Sequence, residues 1–291
     1  MQFDLKEVHQ GWLNGFIGVV IFAGSMPATR VAVQGFSPEF LTGARACIAA
    51  ILALILVLVL KQPRPSMLKI KSLCIVSTGV VIGFPLFTSL ALQTETAAHS
   101  LIFVALLPLA TAFFAVLRAK EMPKNAFWLF AGAGSALVIF FMLHQSGVKG
   151  ISLGDIYMII AILLCGLGYA EGGVLSRALG GWQVICWALI IALPLMLPLC
   201  WLYFPNDFQH IPLSAYIGLA YVSLFSMLIG FFFWYKGLAL GGIAKVGQIQ
   251  LVQPFIGLML CAVLLNEQIN LLMIAVSLAV VSCVVLAKKY A

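Results

Sequence analysis

AAHSLIFVALLPLATAFFAVLRAKE at residues 97–121 and IAKVGQIQLVQPFIGLMLCAVLLNE at residues 243–267 share one frame. At an offset of 146 positions, Ala98 falls on Ala244, Pro108 on Pro254 and Glu121 on Glu267. In each segment an alanine opens the run, a proline lies ten residues on and a glutamate closes it. Apolar stretches long enough to cross a bilayer lie around them, at approximately 12–32, 39–60, 71–92, 96–117, 125–143, 153–175, 183–203, 212–235, 243–264 and 269–287. Each crossing takes about 20 apolar residues. Five stretches fall in each half, and an odd number per half forces the halves to lie upside down to one another. Inverted repeats mark secondary transporters, with the substrate site where the repeats meet. The expected fold is an all-α integral membrane protein, ten transmembrane helices arranged as two inverted five-helix repeats, 11–143 and 151–287, with a seam at 144–152.

The composition excludes a soluble domain. Of 291 residues, 63% are hydrophobic and 9% charged, against about 25% charged in soluble chains. Ten helices use nearly all of the chain, so no extramembrane domain is expected. The opening MQFDLKEVHQ carries acids as well as Lys6, and the apolar run behind it is longer than a signal-peptide core, so it reads as a retained first span.

The formal charge of +7 is a topology signal and not a nucleic-acid footprint. With the N-terminus inside, the expected cytoplasmic segments hold Lys6, then Lys61, Arg64, Lys69 and Lys71, then Arg118, Lys120 and Lys124, then Arg177, Lys236, Lys288 and Lys289. The expected outer loops hold Lys149 alone. That bias places both termini in the cytoplasm, in a multi-pass protein of the plasma membrane, of the bacterial inner-membrane kind.

Cys47, Cys74, Cys165, Cys186, Cys200, Cys261 and Cys283 all lie in apolar runs without a CxxC pair, and read as packing residues. No metal or cofactor site is expected. Glycines four apart (Gly79 with Gly83, Gly168 with Gly172, Gly237 with Gly241) let helix backbones approach closely in lipid. AGAGS at 131–135 sits inside an apolar run with no preceding strand, and is no nucleotide loop.

Several stretches are similar to the EamA family of the drug/metabolite transporter superfamily. They are FAGSMPATRVA (22–32), FLTGARACIAA (40–50), the proline-centred fourth and ninth spans ending in glutamate, and SRAL (176–179). The resemblance covers nearly the whole chain. It implies a ten-helix bundle with a central cavity open to one side at a time, lined mainly by spans 1, 3, 4, 6, 8 and 9. It also implies that Arg45 is structural. Gly24 stands where many family members carry an aromatic, and Lys245 departs from the family pattern.

Of nine carboxylates only Glu171 lies well inside a span, about 9 Å of helix rise from Arg177. An ionisable group in hydrocarbon costs at least about 2.5 kcal/mol, so it is normally paired or faces water. Glu171 therefore reads either as a substrate-amine or proton-coupling carboxylate, or as an interfacial acid paired with Arg177 or a neighbouring loop. His99 and Lys245 occupy matching positions at the starts of spans 4 and 9, as polar gates or as ordinary helix-end groups. Arg30 and Arg45 lie towards the outside, against the charge bias, at an outer vestibule or paired near Glu39. Pro27, behind Gly24 and Ser25, is expected to kink span 1 and free backbone carbonyls. Gln248, Gln250 and Gln253 crowd the run before Pro254, with Gln250 and Gln253 sharing a face, and suggest a water-lined cavity. Tyr169, Trp234 and Tyr235 are candidate cavity aromatics. Glu121 and Glu267 read as structural. The candidate substrate-binding set is Glu171, Gln250, Tyr169, Trp234, His99, Gln253 and Arg30.

These residues favour a secondary transporter, an exporter or exchanger of small polar metabolites such as amino acids. Its partners are a small-molecule substrate and the bilayer, with protons as a candidate coupling ion, in a monomer or homodimer. The rival is an intramembrane enzyme acting on a lipid or isoprenoid. That chemistry needs paired carboxylates, HExxH or GxSxG, and none is present, while His9, His144 and His210 sit at or beyond span ends. A channel would need charged pore rings or a filter loop, and neither is seen.

Overall fold

The computed structural model describes residues 5–119, 124–146, 151–207 and 209–289, and every regular element among them is helical. Seven helical runs are long and apolar enough to cross a membrane. They are α1 (His9–Ala32), α2 (Pro38–Val59), α3 (Met67–Thr94) and α4 (Ala97–Arg118) and, beyond α5 (Asn125–Ser146), α6 (Leu153–Leu179), α7 (Gly181–Leu202) and α8 (Leu213–Gly241). Two shorter apolar helices follow, α9 (Ile249–Leu265) and α10 (Leu271–Cys283). Large apolar side chains such as Leu58, Leu129, Trp201 and Val263 stand exposed on the outside, as a surface facing lipid requires. Glu121 and Lys149 lie outside the described residues, as do the side chains of Lys245 and Gln248.

Several runs are interrupted, and the interruptions recur. The helix Leu5–Ala23 stops at a turn on Gly24 and restarts as Ser25–Ala32. α3 contains a π-helical segment, Ser77–Gly83, just before Pro85, whose ring crowds the preceding turn. α8 contains a second, Val222–Ile229. Offset by 146 positions, the first of these segments covers residues 223–229 and so coincides with the second. α4 breaks between Val104 and Leu107, before Pro108. The matching stretch of the second half is not one continuous helix as its hydropathy suggests. It runs as a short turn, Ile243–Gly247, a 3-10 segment, Gln248–Val252, and an α-helix, Gln253–Leu265. Pro254 has no N–H and disfavours helical geometry in the residue before it, so the tighter segment precedes it.

The packing pairs α2 with α7, α5 with α10, α1 with α8, and α3 with α6; α6 also meets α4, and α1 meets α9. Glycines bring two of these pairs to backbone contact. A Cβ on Gly237 would stand 2.7 Å from the Gly15 nitrogen, and one on Gly79 2.5 Å from the Leu164 oxygen. The α9 helix ends on Asn266, which takes a left-handed conformation (φ 52°) that asparagine tolerates. The turn delivers Glu267 to the start of α4. Its carboxylate accepts from Ala97 N–H at 3.0 Å and Ala98 N–H at 2.8 Å. An anion there answers the positive end of the helix dipole, which gives Glu267 a structural task.

Candidate functional site

The break at Gly24 positions the first wall of a central cavity. Tyr221 Oη donates to the Ile21 carbonyl at 2.8 Å, and a Cβ on residue 24 would stand 2.4 Å from that hydroxyl. The expected kink near Pro27 is therefore centred three residues earlier, where the only residue without a side chain admits Tyr221. Phe22, Ser25 and Met26 flank the break and face the cavity.

Ser25 Oγ lies 2.7 Å from Ser226 Oγ, which belongs to the π segment of α8. The same Ser226 oxygen accepts from Arg45 Nη2 at 3.3 Å. Arg45 sits seven residues into α2, about 10 Å of helix rise from its start. It is 3% exposed, and its Nε has no hydrogen-bond partner among the described residues. No described carboxylate comes within 4 Å of it. Gln253 completes the polar wall. Its amide nitrogen donates to the Phe22 carbonyl at 3.4 Å, and its amide oxygen is buried and unbonded.

Much of the cavity is otherwise apolar and aromatic. Phe22, Phe84, Tyr169 and Phe231 line it, with Phe22 and Phe231 ring centroids 5.0 Å apart. Trp234 stands behind Tyr169 at 5.3 Å, fully buried with an unbonded indole N–H. The enclosed space is about 20 Å³, room for about one water molecule.

Two polar ties hold α4 against α6 on either side of that cavity. At the start of both helices, His99 Nε2 lies 2.7 Å from Asp155 Oδ1 and 3.8 Å from Glu95 Oε2. Ser152 and Asp155 form a capping box at the start of α6, and Ser152 Oγ also donates to Glu95 Oε1 at 2.7 Å. Sixteen residues further along α6, about 24 Å of rise, Glu171 accepts from Arg118 Nε at 2.5 Å.

The candidate residues therefore do not gather in one place. Tyr169 and Gln253 line the central cavity, and Trp234 backs it. Glu171 and His99 belong to the two ties. Glu171 takes Arg118 as its partner and not Arg177. Gln250 is wholly buried within the 3-10 segment and away from the cavity lining, with neither amide atom hydrogen-bonded among the described residues. Arg30 leaves the cavity altogether: its Nη1 donates to the carbonyls of Leu92 and Gln93 at the end of α3, where a cation suits the helix dipole. Tyr235 packs over α6 and donates to the Gly168 carbonyl at 3.2 Å. Arg45 faces the cavity although the resemblance implies a structural role, and Ser226 and Asp155 were not singled out at all. A signal existed for two of them. Arg45 is the one charge within the FLTGARACIAA stretch, and Ser152-x-x-Asp155 is a helix-start pattern.

The EamA-like transporter family's sequence profile matches twice, at residues 9–143 and 152–288. A protein of Bacillus subtilis (strain 168), named as the uncharacterised transporter YdeK, is 55% identical over 287 residues, which is 99% of this chain and 100% of that one. A solved crystal structure superposes with a TM-score of 0.69 at 18% identity, covering 97% of this chain and 99% of its own, and so shares the fold.

Proposed function

Because the chain belongs to the EamA-like transporter family, we propose that it is a secondary transporter of small polar metabolites, an exporter or exchanger working by alternating access. It is a multi-pass membrane protein, and its family and its relative's name speak for transport over catalysis. One observation carries the proposal: a single small cavity takes its lining from both family-matched segments. Ser25, Arg45 and Phe84 come from the first, Tyr169, Ser226 and Gln253 from the second.

In this reading all ten runs cross the bilayer, as two inverted repeats at 11–143 and 151–287 with both termini cytoplasmic. The helix pairing supports it. Exchanging the halves maps α1·α8 onto α6·α3 and α4·α6 onto α9·α1, and returns α2·α7 and α5·α10 to themselves, and each of those contacts is present. The recurrence of the π segments at the repeat offset supports it too. The cavity, holding about one water, then belongs to an occluded state. The His99–Asp155 tie closes the outer side and the Arg118–Glu171 tie the inner side. Each contains a group that can change charge, which favours protons as the coupling ion.

The enzyme alternative finds less support in the same cavity, since Ser25 and Ser226 have no histidine or carboxylate beside them there. Reconstitution into liposomes tests the proposal. Counterflow of labelled metabolites should be saturable and should vanish when the purified protein is omitted. Folded protein that moves no member of a broad panel of small organic metabolites in either direction would refute it.

A further inference from the structure

Five residues supply the polar lining of the central cavity: Ser25, Arg45, Tyr169, Ser226 and Gln253. Of these only the guanidinium carries charge at neutral pH. The lining contains no carboxylate. The two buried acids, Glu171 and Asp155, are engaged elsewhere, by Arg118 and His99. The cavity thus presents one fixed positive charge and, among its described lining residues, nothing to balance it.

An arginine enclosed among helices is ordinarily paired or exposed to water. Arg45 is 3% exposed, spends one hydrogen bond on Ser226, and keeps its Nε enclosed and unbonded. A guanidinium presents a planar fork that matches a carboxylate with two parallel hydrogen bonds. Beside it, the Ser25 and Ser226 hydroxyls and the Gln253 amide can bond the remaining carboxylate lone pairs. The apolar lining, Phe22, Met26, Phe84 and Phe231, can accept only hydrocarbon. A protonated amine entering this space would meet Arg45 as a like charge, with the neutral Gln253 amide oxygen as its best acceptor.

We propose, resting on the transporter reading, that the substrate is an organic anion. It is a monocarboxylate with a short apolar or aromatic body and no amino group, held by Arg45 when the helices part, since the closed cavity has room for about one water only. This narrows the small polar metabolites of that reading and sets zwitterionic amino acids aside.

The test uses purified full-length protein and two matched series of probes. 3-Phenylpropionate, phenylalanine and phenethylamine share a phenyl body; propionate, alanine and ethylamine are their small counterparts. Equilibrium binding in detergent is measured first, and flux in liposomes second. In at least one series the anion should bind about tenfold or more tighter than its zwitterion and its amine. Arg45→Gln should abolish that binding, and Arg45→Lys, which keeps the charge but not the fork, should weaken it. Free of ligand, Arg45→Gln should be at least as heat-stable as the parent, because the arginine it removes has no ionic partner. Equal or tighter binding of the zwitterion or amine overturns the proposal. So does undiminished binding by Arg45→Gln, a misfolded Arg45→Gln variant, or an absence of binding in both series. Binding without flux would leave the anion site standing and remove the transporter reading. Flux of amine or zwitterion without competition by the anion would do the reverse.

Discussion

Arg118 ends α4 with its Nε 2.5 Å from Glu171 and 40% of its side chain exposed, whereas Arg45 lies 3% exposed with no described carboxylate within 4 Å. The two sites reverse the usual economy of charge in a membrane. The arginine nearer water has the counter-ion, and the enclosed one bonds a serine in a lining of neutral side chains. Where the acid is built into the fold, the pair fastens two helices. Where it is missing, the site is complete only when something anionic enters it. The difference separates a tie from a receptor, and it can be attacked from the tie's side without touching Arg45.

The largest effect is expected at Arg118. Replacing it with glutamine leaves Glu171 buried, 5% exposed, without its cation. Such a group must take up a proton or carry an uncompensated charge, at a cost of about 2–4 kcal/mol. Glu171→Gln is expected to cost less, about 1 kcal/mol, because the 40% exposed Arg118 it abandons can turn to water. The double variant should fall between the two. Thermal unfolding in detergent reads the order directly. Glu171→Gln losing more than Arg118→Gln would mean that the Ser72 hydroxyl, which also bonds the acid, outweighs Arg118, and the contrast with Arg45 would lose its footing.

A smaller loss is expected at the opposite end of the same helix pair. Asp155 accepts from the Ser152 backbone at 3.0 Å, meets His99 at 2.7 Å and closes the capping box of α6. Asp155→Ala removes the His99 contact and the side-chain half of the capping box, while the Asp155 N–H still donates to Ser152 Oγ, a loss of about 1–3 kcal/mol. Asp155→Asn can still accept from the Ser152 N–H and should lose about half as much. If both variants unfold at the parent temperature, the His99 cluster does not fasten α4 to α6, and only one end of that contact is tied.

Much of this architecture was open to a reader of the sequence, for reasons that also mark its limit. Crossing helices declare themselves because hydropathy sums over some twenty residues, and seven runs emerge that way. The segmented start of α9 does not, because the 3-10 geometry of Gln248–Val252 changes no composition. Within the site, Gln253 and Tyr169 stand out as polar groups in apolar runs. Spacing reveals only neighbours three or four positions away. For Glu171 the local sequence offered Arg177, six residues on, or an unnamed neighbouring loop, while the cation that meets it lies 53 positions back. It could not show that Ser25 meets Ser226 across 201 positions, and without that meeting Arg45 in FLTGARACIAA looks like any helix-end arginine. Polar atoms in the membrane are legible as anomalies, but whether they find a partner is settled by packing between distant segments.

The smallest effect is expected where an ion pair has neither burial nor helices to join. In the α7–α8 loop, Asp207 Oδ2 lies 2.6 Å from His210 Nδ1, and its other oxygen accepts from the Gln209 N–H at 2.7 Å. The Gln209 backbone N–H first, and the His210 ring second, hold the Asp207 carboxyl below its ordinary value. A carboxyl depressed in the folded state contributes at neutral pH and loses that contribution only as the pH falls through the depressed value. The pair stands at the surface, with the Asp207 side chain 54% exposed, so water and salt screen most of what the geometry offers. Asp207→Asn should therefore unfold within about 1 °C of the parent at both pH 7 and pH 5. It should also leave binding of the anionic probe unchanged. A shift comparable to that of Arg118→Gln would show that short ion-pair distance alone, without enclosure, decides strength here, and the distinction between the answered and the unanswered arginine would then rest on the wrong variable.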